Sequence, residues 1–492
     1  MADSEGAFNN LVAHAHDAHF VVVGGGIAGL TFAYECAKVG IAVTLFEKDD
    51  ELGGTIASAE LDGVRIDTGA TSWQAKSTAM SDLIAGLGLE DRVIAPAKEQ
   101  VWIADPTRGW AAPLPADTVL GIPANTWDES VRRVIGWGGT WRAYLDRLRP
   151  PLTIGVSRNL GALVRSRMGE KVRDRLVAPL TFGRFAIAPE DVDVDIAAPG
   201  LNTALTRTGS LGGAVSDLLV DRRRGASIAS LDGGMSPLVH ALRARLTELG
   251  VVIHTGATVT AVERAKDAHW QVHVETAEDD ASASSSRVDT ATVVVLATPE
   301  LISRDLAAHA LGRPLATDPS TTHSREVVTL VLAAPALDAA PRGSEVYAVP
   351  GSSSASGVVH QTARWDWLES ETDAGRHVVS VSFDTDGDPA GMTDDERRRS
   401  ALEAASALLG VALSEAHVRG MHRARFVLDR PRSTRDHAER SAGVRSDLAQ
   451  TTNLVAVGAW LSGSGLAQVV ADAVSEADRI RSAVLWGDTG PN

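Results

Sequence analysis

The chain has 492 residues, of which 44% are hydrophobic and 22% are charged, as in an average globular protein. This length predicts two or three domains. With 63 acidic and 47 basic side chains, the formal charge is −16, and such a surface repels phosphate backbones and argues against nucleic-acid binding. The single cysteine, Cys36, excludes an intramolecular disulfide and a cysteine-based metal centre, and fits a reducing cytoplasm.

The first 18 residues are polar and acidic, and we expect a disordered tail there. His14, His16 and His19 could ligate a metal, but a frayed tail is the favoured interpretation, and we expect no metal site. The basic start and apolar block of a signal peptide are missing. No run of about 18 apolar residues occurs, so the sequence predicts no membrane span and a cytoplasmic protein. Peripheral membrane contact and a homodimer are left open.

The strongest pattern begins at Phe20–Val23, a short apolar run that predicts a buried strand. The glycines of a GxGxxG motif follow it: Gly24, Gly26 and Gly29. In this motif the first glycine allows a tight turn, the second lets the backbone approach a pyrophosphate, and the third lets a helix pack closely on the strand. The helix is predicted to run to about Val39, and a second strand, Ala42–Phe46, ends at Glu47, which can accept hydrogen bonds from ribose hydroxyls. The pattern therefore predicts a dinucleotide site.

The region Arg92–Arg224 is rich in Trp and Arg and predicts amphipathic helices such as Asn159–Leu180. Its basic residues are expected to form a solvated helix face with i,i+4 partners; they are Arg165, Arg167, Lys171, Arg173 and Arg175. Five of the eleven tryptophans fall within 40 residues: Trp102, Trp110, Trp127, Trp137 and Trp141. Core and interface packing is the favoured interpretation for them, with a flat aromatic pocket as the alternative.

Later segments alternate strands, helices and loops. Polar composition predicts exposed loops at Ala277–Asp289 and Gly351–Gly357. Several strands are predicted within Glu326–Ser382, and a helix over Asp394–Leu409. The last pattern, Leu454–Leu485, predicts a strand, a glycine-rich turn and a helix that begins near Leu466.

Three of these regions resemble one large FAD-binding family, which includes the amine oxidases and the protoporphyrinogen-type oxidases. They are ELGGTIAS (51–58) with the hairpin LDGVRIDTGAT (61–71), the Gly233–Gly234 entry to a helix and strand, and NLVAVGAWLSGSGLAQ (453–468). The resemblance implies FAD as cofactor. By resemblance the cofactor-binding residues are Gly24, Gly26, Gly29, Glu47, Lys48, Gly53, Gly54, Thr55, Gly69, Ala70, Val259, Ala297, Gly458, Gly463, Gly465 and Leu466. The amine oxidases' covalent cysteine has no counterpart here, so the FAD is expected to be non-covalent.

The region between the nucleotide-binding segments resembles one branch of that family, the porphyrinogen oxidases. GWAAPLPADTVLGIPANTW (109–127) and VSRNLGALVRSRMGEKVRDRLVAPL (156–180) carry this likeness. It implies oxidation of coproporphyrinogen III or protoporphyrinogen IX in porphyrin and haem biosynthesis, with oxygen as acceptor and peroxide as product. The sequence departs from the family in the loop 181–188, at Ala467 and in DRPRSTRDH (429–437), which face the substrate in the family.

We therefore predict an α/β fold with a Rossmann-type FAD-binding domain built from the discontinuous segments 19–90, 226–310 and 440–492. An α+β substrate domain is inserted, mainly helical over 91–225 and a β-sheet over 311–439. Flavin N5 takes the hydride in such enzymes, so no catalytic side chain is assigned. The substrate-binding candidates are Lys76, Arg184 and Phe185. The alternatives are an amine oxidase or desaturase on the same fold, which the changed loop around Arg184 favours, and a non-enzymatic FAD-binding protein.

Overall fold

The computed structural model describes residues 18–148, 158–222, 227–265, 269–277, 284–319, 323–385 and 392–486. The predicted tail therefore lies outside the described residues, apart from Ala18. At the centre is a five-stranded parallel sheet, whose strands in spatial order are Val252–His254, Ala42–Phe46, His19–Val23, Val293–Leu296 and Leu454–Ala456. Each of the three sequence regions that were predicted to bind the nucleotide contributes at least one strand.

Both faces of the parallel sheet are covered, as the short Val-rich runs require. On one face lie three helices, Ile27–Ala37, Ser236–Glu248 and Leu466–Trp486, which share a hydrophobic core with Phe20 and Val22. The opposite face packs on an antiparallel sheet and on two further helices; these elements are Ala257–Arg264, Trp270–Ala277, Ser284–Ala291, Glu300–Leu311 and His437–Leu448. The predicted α/β class with a parallel sheet from separated segments is confirmed.

A second, seven-stranded sheet forms the other half of the molecule. Its strands in spatial order are Val418–Leu428, His323–Ala333, Arg376–Thr385, Gly357–His360, Glu345–Ala348, Val101–Asp105 and Trp110–Pro113. The predicted helix Asp394–Leu409 is present and packs on this sheet. Glu326, inside the sheet, holds that helix through an ion pair with Arg397 at 2.8 Å and also pairs with Arg423 at 2.7 Å. The strands at Val101 and Trp110 lie in the region 91–225, which was predicted to be mainly helical.

The helices of that region surround a separate hydrophobic core. They are Glu129–Tyr144, Leu160–Met168, Glu170–Val172, the π-helical turn Arg173–Val177, Ala178–Phe185, Val194–Ala197, Leu201–Thr208 and Leu211–Arg222. The predicted continuous stretch Asn159–Leu180 is therefore interrupted. The break is at Gly169, whose φ of 95° is a left-handed conformation that favours glycine.

Two predictions about local structure were wrong. Part of the predicted loop Ala277–Asp289 is the strand Ser284–Ala291, which pairs with Trp270–Ala277 as an edge strand with mainly polar side chains. Arg167, expected on a solvated face, is buried and forms an ion pair with Asp146 at 3.3 Å. A buried charge needs such a partner. The residues around Arg167 in the sequence do not indicate that Asp146, 21 residues earlier, supplies it.

The remaining described elements are short. They comprise the hairpin Ser58–Leu61 and Val64–Asp67, the strands Trp73–Gln74, Val93–Ile94, Thr118–Val119, Ile122–Pro123 and Ile228–Leu231, the helices Thr78–Gly86, Gln361–Arg364, Asp366–Ser370 and Ala459–Ser462, and six 3-10 turns. Among the described residues, none of the helices combines the length and apolar composition needed to cross a bilayer.

Candidate active site

Two glycines of the motif are required by contacts within the backbone. Gly24 follows the strand His19–Val23 with a φ of 108°, and its amide donates to the Phe46 carbonyl at 2.7 Å. A Cβ on Gly24 would lie 2.6 Å from the Ala297 carbonyl oxygen, and a Cβ on Gly29 only 2.0 Å from the Gly24 carbonyl oxygen. Neither position has room for a side chain, so these glycines let the first helix close onto the sheet.

Gly26 is different, because the protein itself gives no reason for a glycine there. Its φ of −71° suits any residue, and a Cβ built on it meets no atom within 4 Å. It precedes the helix Ile27–Ala37, whose first amides lack partners within the helix. This open space at a helix N-terminus is where a pyrophosphate binds in dinucleotide sites.

A second glycine pair closes the same space from the other side. Gly53 forms a parallel bridge with Gly26 and donates to the Gly25 carbonyl at 2.9 Å, and a Cβ on Gly54 would lie 3.2 Å from the Gly26 Cα. Both Gly53 and Gly54 have left-handed φ values, 117° and 59°. The two glycine segments thus form one cradle, which we call the glycine cradle (Gly24–Gly29 with Gly53–Gly54).

Thr55, Gly69 and Ala70 continue the cradle. The Ala70 amide donates to the Thr55 carbonyl at 2.8 Å, and a Cβ on Gly69 would lie 2.0 Å from that carbonyl oxygen and 3.4 Å from the Phe426 ring. Phe426 belongs to the seven-stranded sheet. The structure therefore brings the predicted residues 53–55 and 69–70 together at the boundary between the two halves of the molecule.

Glu47 lies at the carboxyl end of its strand and is buried. One carboxylate oxygen accepts the Gly25 amide at 2.6 Å and the other accepts the Asp49 amide at 3.0 Å. These two hydrogen bonds fix the carboxylate in place. Each oxygen has a further lone pair, so the carboxylate can still accept hydrogen bonds from ribose hydroxyls. The neighbouring Lys48 is largely exposed and pairs with Asp49 at 2.6 Å, so its ammonium is already occupied by a neighbour.

The other predicted cofactor residues surround the same edge of the parallel sheet. Val259 is buried on a strand that begins at Ala257, whose amide donates to the Glu47 carbonyl at 2.8 Å. Ala297 donates to the Val23 carbonyl at 2.8 Å, beside Gly24. The C-terminal turn follows the last parallel strand and leads into the helix Leu466–Trp486, which packs on Ile27–Ala37; its predicted residues are Gly458, Gly463, Gly465 and Leu466.

Gly463 is the point where this turn meets a loop of the other half. Its φ is 96°, and a Cβ there would lie 2.5 Å from the Arg432 amide nitrogen. Arg432 belongs to the segment 429–437, which departs from the family pattern. The same segment reaches the helical region through the Thr434–Val192 bridge. Sequence reasoning gave Arg432 no role, because nothing local indicates a contact with Gly463.

The substrate-binding candidates lie in two places. Lys76 lies just before the helix Thr78–Gly86 of the nucleotide-binding half. It is exposed and forms no ion pair with any described residue. Arg184 and Phe185 lie at the end of the helix Ala178–Phe185, so the expectation that Arg184 sits in a loop was wrong. Arg325 donates to the carbonyls of residues 182 and 183 at 2.9 and 3.0 Å and holds this helix end on the sheet.

Arg184 is engaged by residues that sequence reasoning missed. Its guanidinium donates to Tyr347 Oη at 3.2 Å and to Glu345 at 3.3 Å, and Glu345 also pairs with Arg364 at 2.5 Å. Burial would raise the pKa of Glu345, but Arg364 and Arg184 hold it below its usual range. A Cβ on Gly183 would lie 2.1 Å from the Tyr347 ring. The close packing of Tyr347 thus leaves no room for a side chain at Gly183.

Asp67 lies in the family-like hairpin, but the sequence analysis assigned it no role. It ends the hairpin that leads to Gly69, and both carboxylate oxygens lie 3.1 Å from the Met235 amide. Burial raises the pKa of Asp67 to about 7, although the Met235 amide and Arg65 lower it. The side chain therefore joins two of the family-like segments through a carboxyl group that titrates near neutrality.

Comparison with known proteins identifies the family to which this chain belongs. The family described as flavin containing amine oxidoreductase matches residues 27–481. The coproporphyrinogen III oxidase of Propionibacterium freudenreichii subsp. freudenreichii is 28% identical, over 96% of this chain and 92% of that protein. The coproporphyrinogen III oxidase of Mycobacterium bovis is 30% identical, over 91% of this chain and 94% of that protein.

Solved structures share the fold. A putative protoporphyrinogen oxidase from Exiguobacterium sp. 255-15 has a TM-score of 0.79 and 23% identity, over 94% of this chain and 98% of that chain. A putrescine oxidase bound to putrescine has a TM-score of 0.57 and 16% identity, over 95% and 99%. The chain belongs to the flavin-containing amine oxidoreductases and, within that class, to the FAD-dependent porphyrinogen oxidase family. It is an oxidoreductase that uses a flavin.

The different reasons for Gly26 and Gly29 give a first prediction. Gly26→Ala should leave the melting temperature of the flavin-free protein unchanged but lower flavin affinity by about tenfold or more, a loss of roughly 1.4 kcal/mol. Its Cβ meets no protein atom within 4 Å and enters the space where the pyrophosphate is expected. Gly29→Ala should instead destabilise the fold by about 1–3 kcal/mol or more, as overpacking does. Thermal unfolding and flavin titration measure the two effects, and full flavin affinity in Gly26→Ala would contradict the assignment.

Asp67 gives a prediction about pH. An unfolded aspartate has a pKa of about 3.9, so between about pH 4 and 7 the unfolded chain releases this proton while the folded chain keeps it, and stability falls as pH rises. The Asp67→Asn variant has no titratable group at this position and therefore lacks this pH dependence. The melting temperature of the variant minus that of the natural protein should therefore rise from pH 5 to pH 7.5 and then level off. A difference independent of pH would show that Asp67 has an ordinary pKa.

Proposed function

We propose that this chain oxidises coproporphyrinogen III, or protoporphyrinogen IX, to the porphyrin, with non-covalently bound FAD, oxygen as acceptor and peroxide as product. The observation that carries the proposal is the nearly end-to-end similarity to coproporphyrinogen III oxidases, at 28% and 30% identity over at least 91% of this chain. The cytoplasm is the proposed compartment. The amine oxidase or desaturase hypothesis becomes the competing outcome of the test.

The residues at the sheet edge fit an FAD. Glu47 offers acceptors for a ribose, and the open space at Gly26 and the helix N-terminus beside it suit a pyrophosphate. Val259, on the strand that begins at Ala257 beside Glu47, is assigned to the adenine by resemblance to the family. Cys36, the one cysteine, is fully buried in the helix Ile27–Ala37, and burial raises the pKa of its thiol. A buried, protonated thiol is unreactive, which supports non-covalent binding.

Bound FAD supplies the hydride acceptor, and the chain supplies position and electrostatics. The helix Leu466–Trp486 begins directly after the turn at Gly463 and Gly465. Its unpaired N-terminal amides and positive dipole end favour negative charge near them. We assign this helix start, with Leu466, to the part of the cofactor that becomes negative on reduction. We assign no side chain to proton transfer.

Lys76 and Arg184 are proposed to hold carboxylates of the substrate, with Phe185 contacting its apolar part. Lys76 has no carboxylate partner in the described part of the chain. Arg184 shares Glu345 with Arg364, so these three side chains carry a net charge of +1 beside the neutral Tyr347. A propionate bound at Arg184 would neutralise that excess. Phe185 has 38% of its surface exposed at the helix end, where an apolar face of a substrate could cover it.

The proposed reaction has a direct test. Under anaerobic conditions coproporphyrinogen III should bleach the flavin absorbance of the purified protein, and admission of air should restore it with release of peroxide. Putrescine and an aromatic monoamine serve as the competing substrates. Gly26→Ala, depleted of flavin, is the matched control for oxidation of the porphyrinogen by air alone. Bleaching by an amine, and not by the porphyrinogen, would overturn the proposal in favour of the amine oxidase.

The substrate residues give a further prediction. Lys76→Ala and Arg184→Ala should each raise KM for coproporphyrinogen III, by about threefold or more for an interaction near 0.7 kcal/mol, with a smaller change in kcat. In Arg184→Ala, Glu345 keeps Arg364 as its partner, so no buried charge is stranded. Arg245→Ala, which removes an exposed cation paired with Glu248, is the control. Unchanged KM in both test variants would remove these residues from the site.

A further inference from the structure

Arg432 lies beside the C-terminal turn of the cofactor site. Its amide nitrogen and its Cβ lie 2.5 and 2.6 Å from the position that a Cβ on Gly463 would occupy. Six residues earlier in the chain, the Phe426 ring lies 3.4 Å from the corresponding position on Gly69. The segment 426–432 therefore runs from the residues that continue the glycine cradle to the turn at Gly463, along the site assigned to the cofactor.

The turn that carries Arg432 is also fixed to the helical region. The Asp193 amide donates to the Ser433 carbonyl at 2.6 Å. Asp193 follows Phe185, a proposed substrate contact, by eight residues. Arg432 is thus held between the cofactor turn and the segment that leads away from the proposed substrate residues.

The guanidinium of Arg432 is a cation without a partner. The side chain is exposed and forms no ion pair or hydrogen bond with any described residue. Burial raises the pKa of Asp472, in the helix Leu466–Trp486, to about 6, against the opposing charges of Arg445 and Arg432. Asp472 already pairs with Arg445 at 2.6 Å. The acid whose titration Arg432 affects therefore has another cation as its partner, and Arg432 remains available to an anionic ligand.

We propose that Arg432 binds a carboxylate of the porphyrinogen, in addition to those assigned to Lys76 and Arg184, and that it favours a tetracarboxylate substrate over a dicarboxylate. The inference rests on the proposed function and deepens it. Coproporphyrinogen III carries a propionate on each of its four pyrrole rings, whereas protoporphyrinogen IX has vinyl groups in place of two of them. Two cations suffice for the dicarboxylate, but the tetracarboxylate needs further partners in a chain whose formal charge is −16.

The chemistry of arginine suits this role. Its planar guanidinium can donate two parallel hydrogen bonds to one carboxylate, which a lysine or a glutamine cannot do. Because Arg432 is exposed, its charge stays hydrated when no ligand is bound, and it needs no internal carboxylate of the kind that holds Arg184. The cofactor phosphates are the competing partner, but the open space that suits a pyrophosphate lies at Gly26, beside Gly54, and not at the turn Gly463.

Kinetics of the flavin-loaded protein with both porphyrinogens test the proposal. Arg432→Gln should raise KM for coproporphyrinogen III by about threefold or more, with a smaller change in kcat, and leave KM for protoporphyrinogen IX within about 1.5-fold. Fluorescence titration with the two porphyrin products should show the same difference in Kd. Arg432→Lys should restore part of the affinity for the tetracarboxylate, because the charge is kept.

Arg419→Gln is the matched control. Arg419 is another exposed arginine without an ion pair to a described residue, at the far end of the strand Val418–Leu428 that leads to Arg432. Its removal lowers the charge of the chain equally and should change neither KM. An effect as large as that of Arg432→Gln would reduce the result to a long-range field and overturn the inference.

Flavin content and melting temperature show whether each variant is folded and loaded. A folded Arg432→Gln that changes KM for neither porphyrinogen, or for both by the same factor, would overturn the inference and leave the proposed function standing. A lower flavin affinity with an unchanged ratio of the two KM values would assign Arg432 to the cofactor instead. Failure of the proposed function would be seen in the natural protein, as oxidation of neither porphyrinogen, and would overturn this inference as well.

Discussion

The site depends on backbone segments that approach so closely that no side chain fits between them. The Gly24 carbonyl meets Gly29, the Ala297 carbonyl meets Gly24, and the Gly25 carbonyl accepts the Gly53 amide. Only this closeness lets the first helix start at the sheet edge, within the same space that the Glu47 carboxylate reaches. If the helix stood farther from the strand, its N-terminal amides and the Glu47 carboxylate, the proposed ribose acceptor, could no longer bind one ligand.

The flavin-binding half is fixed to the second sheet by a buried hydrophobic cluster, in which Val64 and Ile66 of the hairpin pack with Val331 and Val378 of the sheet, and by close approaches at two glycines. Phe426 approaches Gly69, and the Arg432 amide approaches Gly463. These contacts set the distance between the glycine cradle and Arg184, the proposed substrate residue on the other half. Oxidation by a flavin depends more on the position of the substrate relative to the flavin than on acid–base groups. A substitution that disturbs these contacts would therefore affect the reaction as much as the loss of a substrate-binding side chain.

The parts of the structure that follow from local sequence were predictable. The strands at His19–Val23 and Ala42–Phe46 and the helix Asp394–Leu409 are set by short apolar runs, by periodicity and by caps such as Thr393 with Glu396. What could not be predicted depends on distant partners. Arg184 is held by Glu345, 161 residues away, and Arg167 by Asp146. The sequence around a basic residue on a helix does not show whether its charge will be solvated by water or paired with a buried carboxylate.

The acidic composition also constrains how this chain can hold an anion. Its overall field opposes an anionic substrate, but screening confines that field to about a Debye length, so affinity is decided by the cations within a few ångströms. Most arginines near the second sheet are already paired, Arg397 and Arg423 both with Glu326. At Glu345 two arginines share one carboxylate. An unbalanced cluster of this kind offers an anion a charge while the protein retains an internal partner that keeps Arg184 in place when no ligand is bound.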